Sequence, residues 1–207
     1  MAVRVGGFGG VAGLVEWLQA KRVSHLVDAT HPFAAQMSAH AVAAAAQAGV
    51  PHLALTRPAW AAKTADRWTR VADIPAAVAA LAGGPRRVML ALGRMHVDAF
   101  AAMPQHRYLL RFVDPPRTAI ALPGHRLVVD RGPFTVEGDL ALLRREAIEL
   151  LVCKNAGGSG AQAKLIAART LGLPVVMIDR PPLADRAEVH DVAAVLHWIG
   201  HAADRGV

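Results

Sequence analysis

Short, near-continuous apolar runs alternate with helix-length segments along almost the whole chain, and this alternation constrains its fold most. The runs at 3–5, 25–29, 52–56, 87–92, 107–113, 126–130, 150–154 and 174–178 end in polar or glycine-bearing turns. Helical patterns fill 11–20, 34–48, 75–81, 137–148, 161–171 and 192–201. Such alternation predicts an α/β fold, a mostly parallel sheet with helices on both faces. Strands without a polar alternate suit burial on both sides. The punctuation agrees. Gly49 and Pro51 stop one helix, and Gly172 and Pro174 repeat the arrangement, because glycine takes the left-handed position past a helix end and proline cannot continue one. Asp73 stands where it can cap the helix that Pro75 opens.

The stretch AGGPRR at 82–87 cannot continue a helix and is the best linker. A boundary between Trp68 and Arg87 divides the chain into 1–72, with few strands, and 73–207, with enough strands for a sheet of its own. With 54% apolar and 19% charged residues in 207, a disordered chain is excluded. Alanine fills 43 positions, but runs such as 41–46 fall far short of a membrane span. No basic-then-apolar leader opens the sequence, so the expectation is a chain that neither enters a membrane nor is secreted. The single cysteine, Cys153, leaves no disulfide framework and points to a reducing cytoplasm. The net charge is +7, yet the 19 arginines and 4 lysines are scattered and aromatics make up only 5%. That pattern argues against nucleic acid. It fits a polyanionic small molecule steered by a few arginines, or an ordinary basic surface.

In open α/β sheets ligands bind beyond the carboxyl ends of strands, so the turns there hold the candidate residues. The turn at 6–13 carries Gly7, Gly9 and Ala12 in a G-x-G-x-x-A pattern, with Asp28 further on. It reads either as a dinucleotide loop or as a ligand-free glycine turn. Asp28-Ala29-Thr30-His31-Pro32-Phe33-Ala34 ends a strand with a hydroxyl and a ring that titrates near neutrality. The alternative is a capping Thr30 beside an exposed His31. Asp130-Arg131-Gly132-Pro133-Phe134 offers an arginine for a carboxylate or phosphate, or is a surface turn. Lys154-Asn155-Ala156-Gly157-Gly158-Ser159-Gly160 joins strand, lysine, glycine loop and helix start, an anion-binding concavity. It is no Walker A loop, since the lysine precedes the glycines. Cys153 reads as a small buried hydrophobe. The ten histidines show no metal spacing; His197 and His201 stand four apart without a third ligand, so no metal is expected.

Four of these runs together resemble the precorrin-6A reductase family of cobalamin biosynthesis. They are Val3-Arg4-Val5-Gly6-Gly7-Phe8-Gly9-Gly10, Asp28 to Ala34, Arg131-Gly132-Pro133-Phe134, and Lys154-Asn155-Ala156-Gly157-Gly158. Their order and spacing agree across essentially the whole chain, and the Asp-Ala-Thr-His-Pro-Phe-Ala run is the distinctive one. The turn at Arg94 and the 51–58 stretch fit as well. The resemblance implies two Rossmann-like lobes with the site between them. It implies NADPH-dependent reduction of one double bond of precorrin-6A, or of its cobalt-loaded counterpart, to precorrin-6B. The substrate is a tetrapyrrole bearing many carboxylates, and a monomer or weak homo-oligomer is expected.

On that basis Lys154 with Asn155, Gly157, Gly158 and Ser159 binds anionic groups of cofactor or substrate. Arg94 and Arg131 hold macrocycle carboxylates. Gly7, Gly9, Thr30, His31 and Phe33 line the site, and His31 is a candidate proton donor. The family begins with a further strand–glycine turn–helix–strand segment that the present sequence does not match, so the first lobe is expected to be truncated at its N-terminus. Either the true start lies upstream or the chain is a genuine short form. The alternatives are a non-catalytic tetrapyrrole- or nucleotide-binding protein, or a nucleotide-sugar or phosphate-transfer α/β enzyme.

Overall fold

The computed structural model describes residues 3–203, which form two compact units. Unit 1 takes the described residues up to Pro58 and those from Pro181 onward; unit 2 is Ala59–Arg180. This division differs from the expected break at 72/73. The polar run RWTRV pairs within the second unit, and the chain after Arg180 returns to the first.

Unit 1 contains α1 (Gly10–Ala20), β1 (Leu26–Asp28), α2 (Ala35–Ala48) and β2 (His52–Leu55). In unit 2 follow β3 (Arg67–Val71), α3 (Ile74–Ala79), β4 (Arg87–Ala91), α4 (Arg94–Val97) with a 3-10 turn at Asp98–Ala102, and β5 (Arg107–Phe112). Next come β6 (His125–Val129), α5 (Val136–Arg145), β7 (Leu150–Lys154), α6 (Ala163–Thr170) and β8 (Pro174–Ile178). Unit 1 resumes with β9 (Glu188–Val189) and α7 (Val192–Ala203).

Both sheets are parallel throughout, as the alternation predicts. Unit 1 has the order β1-β2-β9 and unit 2 the order β3-β8-β7-β4-β5-β6. In unit 2 the chain runs outward from β4 to β5 and β6, then returns across β4 to β7 and β8. The reversal creates a topological switch point between the carboxyl ends of β4 and β7, the position where such sheets bind ligands.

The expected strand at 3–5 is absent. It has no ladder partner among the described residues, and Val3 and Val5 stand 85% and 93% exposed. Two strands escaped the sequence reading. β3 is an edge strand whose largely exposed face reads as polar, and β9 has two residues. The short α4 turn carries too few residues to show a period. Local signals hold elsewhere: the Asp73 side chain accepts the Ala76 N–H at 2.8 Å, and Gly49 and Gly172 take φ of 68° and 64°.

The alanine bias has a packing role. Buried Ala44 in α2 meets Leu14 and Leu18 of α1, so the two helices approach closely. Unit 2 is built on Met89, Leu109, Leu151, Leu165, Val175 and Met177. Cys153 belongs to this core, with Sγ 3.9 Å from Met177 Sδ. Burial pushes its thiol up to about 11, so it packs as a hydrophobe. Among the described residues no helix is long and apolar enough to cross a membrane.

Candidate functional site

Each unit carries a pocket at the carboxyl ends of its strands. In unit 1 the turns after β1, β2 and β9 enclose about 470 Å3, lined by Thr30, His31, Pro32, Thr56, Arg57 and His190 among others. In unit 2 the turns after β4, β5 and β6 enclose about 500 Å3. A larger depression of about 710 Å3 lies at the first residues of β4, β5 and β6. It sits at the amino ends, opposite the side where such sheets place ligands.

The unit 1 pocket is shaped by Asp28. Its carboxylate is buried and fully engaged. Thr30 donates from its backbone N–H at 3.0 Å and its hydroxyl at 2.6 Å. Ser38 Oγ donates at 2.6 Å and Arg186 Nη1 at 2.8 Å. Burial raises the carboxyl, but the bonds from Ser38 and Thr30 and the Arg186 charge outweigh it and hold Asp28 below the usual carboxylate range. Asp28 therefore tethers the turn and is not open to a ribose. Thr30 lines the pocket with its hydroxyl proton committed to Asp28.

His31 also lines this pocket. Its Nδ1 accepts the Phe33 N–H at 3.2 Å, so the neutral ring carries its proton on Nε2. The Phe33 ring lies 5.8 Å from the imidazole, supporting it from outside the pocket lining. Gly7 and Gly9 stay in the loop before α1, apart from the pocket lining, with open space where a side chain would begin. Gly9 takes φ 85°, which favours glycine, and within the first turn of α1 a Cβ at Gly13 would collide with the Phe8 carbonyl oxygen.

At the unit 2 switch point, Lys154 ends β7 and His96 rises from α4 beyond β4. Lys154 Nζ lies 2.8 Å from His96 Nε2. An ammonium has no lone pair, so it donates to a neutral imidazole. Burial depresses both groups, and the Lys154 charge lowers His96 further. Gly157 and Gly158 follow at φ 72° and 73°, a left-handed run that side chains resist. Ser159 sits in the same loop and its carbonyl accepts the Gln162 N–H at 3.2 Å.

Two residues expected at the ligand have protein partners, Asn155 buried and Arg131 exposed. The Asn155 amide is buried against Trp60, accepting its N–H at 2.8 Å and donating to its carbonyl at 2.9 Å. Arg131 ion-pairs with Asp114 and donates to the Val113 carbonyl at 3.3 Å. Arg94 does reach the unit 2 pocket, held by Asp98 at 2.8 Å and the Ala119 carbonyl at 3.0 Å. Sequence reasoning missed His96, Lys164, the buried Arg111–Asp139 pair and Trp60. For Lys164 one local signal existed, a lysine within an otherwise apolar Ala-Lys-Leu-Ile run. Among the described residues no group of three or more His, Cys, Asp or Glu is placed to hold a metal ion.

The family model described as Precorrin-6x reductase CbiJ/CobK matches residues 1–200. The chain belongs to the precorrin-6x reductase family. The resemblance read from the four runs therefore holds, and membership makes the chain an oxidoreductase that needs a redox cofactor. It is 57% identical to a precorrin-6A reductase of Rhodobacter capsulatus, covering 100% of this chain and 83% of the relative. The solved structure titled CobK precorrin-6A reductase superposes with a TM-score of 0.91 at 58% identity, covering 96% of this chain and 79% of that one. A cobalt-precorrin-6A reductase of Priestia megaterium is 30% identical, covering 82% of this chain and 70% of the relative. The shared fold agrees with the parallel sheets and alternating helices of both units.

Proposed function

We propose that the chain reduces one double bond of precorrin-6A to give precorrin-6B in cobalamin biosynthesis, with NADPH as the reductant. Membership of the precorrin-6x reductase family along nearly the whole chain carries this reading. The metal-free macrocycle is the substrate, since the relatives of higher identity bear that name and the cobalt-named relative is more distant.

The residues present fit a phosphate-bearing cofactor. The glycine pair Gly157–Gly158 and the Lys154 ammonium stand at the switch point, where backbone N–H groups and a cation favour an anion. NADPH, when bound, supplies the hydride. Lys154 and the backbone of the Gly157, Gly158 and Ser159 loop hold anionic groups, and Arg94 faces a carboxylate. Asn155 and Phe33 act one step back, fixing the loop and the His31 ring. His31, in the lining of the unit 1 pocket, is the group we assign to protonate, from its imidazolium form, the carbon next to the one receiving hydride. On this reading the enzyme works as a monomer or weak homo-oligomer in the cytoplasm.

The test is a fluorescence titration with NADPH, followed by anaerobic NADPH oxidation with precorrin-6A and with its cobalt complex. Stoichiometric oxidation with the metal-free ring is expected. Binding of the tetrapyrrole without NADPH oxidation would make the chain a carrier and sink the reductase reading.

A further inference from the structure

Buried cations in unit 2 have countercharges of their own. Arg111 pairs with Asp139, both nearly closed to water. Arg169 grips Asp66 through two N–H groups at 2.8 and 2.9 Å. Lys164, in the first turn of α6, is 6% exposed, yet among the described residues it makes no ion pair. Its ammonium donates to the Ala161 carbonyl at 2.5 Å and lies 4.9 Å from the centre of the Trp60 ring. One carbonyl and one ring face leave donor capacity on a group with three N–H bonds. The Asp139 carboxylate attracts the Lys164 ammonium but is already paired with Arg111, so two buried cations share one carboxylate, and an anion from outside the fold would complete the balance.

Lys164 lines the pocket of about 500 Å3 at the carboxyl ends of β4, β5 and β6. Arg94 lines the same pocket, with Nη1 held by Asp98 and Nη2 by the Ala119 carbonyl, and each nitrogen keeps a further N–H. Phe112, Val113, Pro115 and Phe134 give the pocket apolar wall; Asp114 and Asp130 also line it, and Asp114 is paired with Arg131. Burial depresses the Lys164 ammonium and Arg111 adds to the effect, with the Asp139 charge opposing it, so an incoming anion stabilises the charged form.

We propose that this pocket seats an anionic group carried on an apolar body, with Lys164 as its countercharge and Arg94 as its second donor. The proposal rests on the reductase reading, which offers two sources of that chemistry. One is a phosphate next to the adenosine of NADPH; the other is a carboxylate arm of the tetrapyrrole.

The experiment compares wild type with Lys164→Met and Lys164→Gln. It measures NADPH affinity by fluorescence, KM for precorrin-6A, and the melting temperature. Loss of a charge-assisted contact should weaken one ligand roughly 10-fold or more. The melting temperature should stay level or rise, because a buried charge that shares Asp139 with Arg111 has been removed. A rise in the NADPH Kd alone supports the seat with the cofactor as its source; a rise in KM alone supports it with the macrocycle. Unchanged affinity for both overturns the proposal, as does a fall in melting temperature with ligand binding intact, which marks Lys164 as structural. If Lys164→Met does not fold, Lys164→Gln, which keeps a donor for Ala161, carries the same test. A wild-type chain that binds neither ligand overturns the reductase reading and this seat with it, whereas wild-type binding that the variants preserve overturns the seat alone.

Discussion

The Asn155 side chain closes on the backbone of Trp60 from both sides, accepting its N–H and donating to its carbonyl across 95 residues of sequence. The Trp60 indole completes the clasp by donating to the Gly158 carbonyl at 2.7 Å. The glycine loop after β7 is thus built around a tryptophan from the start of unit 2. Replacing Asn155 with Ala leaves two buried backbone groups unsatisfied, so unit 2 should lose about 2–4 kcal/mol. Urea unfolding measures it. An unchanged midpoint with weaker ligand binding would return the Asn155 amide to direct ligand contact.

Asp28 predicts an acid-sensitive unit 1. Its folded-state carboxyl lies below the ordinary value of 3.8. The stability it contributes is therefore complete above that value and is lost as pH falls through the folded one. Asp28→Asn should cost about 3 kcal/mol at neutral pH, because Arg186 loses its buried carboxylate and keeps only the longer contact to Glu188. It should also flatten the acid limb of a stability profile below about pH 4. An equally steep limb in the variant would show that other groups govern it.

His96 predicts a second pH signature. Burial first, and the Lys154 charge second, hold its ring below the usual 6.5. The folded state then binds fewer protons than the unfolded chain near that pH, so stability falls as pH drops from 6.5 toward the folded value. An NMR titration should find a His96 midpoint under 6.5, moving upward in Lys154→Met. A midpoint that ignores Lys154 would mean that the two groups do not meet in solution.

Two glycines, Gly7 before α1 and Gly13 within it, separate packing from ligand contact. At Gly13 a Cβ meets the Phe8 carbonyl at 1.9 Å, so Gly13→Ala should destabilise unit 1 by about 2–3 kcal/mol. At Gly7 a Cβ meets nothing within 4 Å, so Gly7→Ala should leave the melting temperature unchanged. If Gly7→Ala nevertheless weakens NADPH, the open space at that glycine serves the cofactor. Equal affinity removes Gly7 from the site.

The proton-donor assignment of His31 predicts that His31→Gln lowers kcat by about 100-fold and removes the near-neutral limb of the pH–rate profile. NADPH affinity should not change. A wild-type rate in the variant transfers the proton to another group, with the Lys154–His96 pair the next to examine.

Much of this architecture is legible in the sequence because its signals are local. β7 and β8 are apolar runs bounded by turn residues, and they form where those runs lie. β3 was not legible, since an edge strand with a largely exposed face carries no apolar pattern. The Lys154 loop could be read because strand, lysine, glycines and helix are consecutive. Its partner could not, since His96 lies 58 residues earlier and is drawn in by parallel pairing of β4 with β7.

The sequence by itself determined the α/β class, the glycine and Asp-Ala-Thr-His-Pro-Phe-Ala motifs that mark the family, and the turns where ligand-facing residues can stand. Those properties follow from hydrophobic period and from backbone preference, which act within a few residues. Tertiary structure alone decided which of those polar groups remain open to a ligand. Asn155 is closed off against Trp60 and Arg131, still exposed, pairs with Asp114, while Lys164 is buried and shares the Asp139 carboxylate with Arg111. Burial and pairing depend on elements far apart in the chain, and only the assembled sheets bring those elements together.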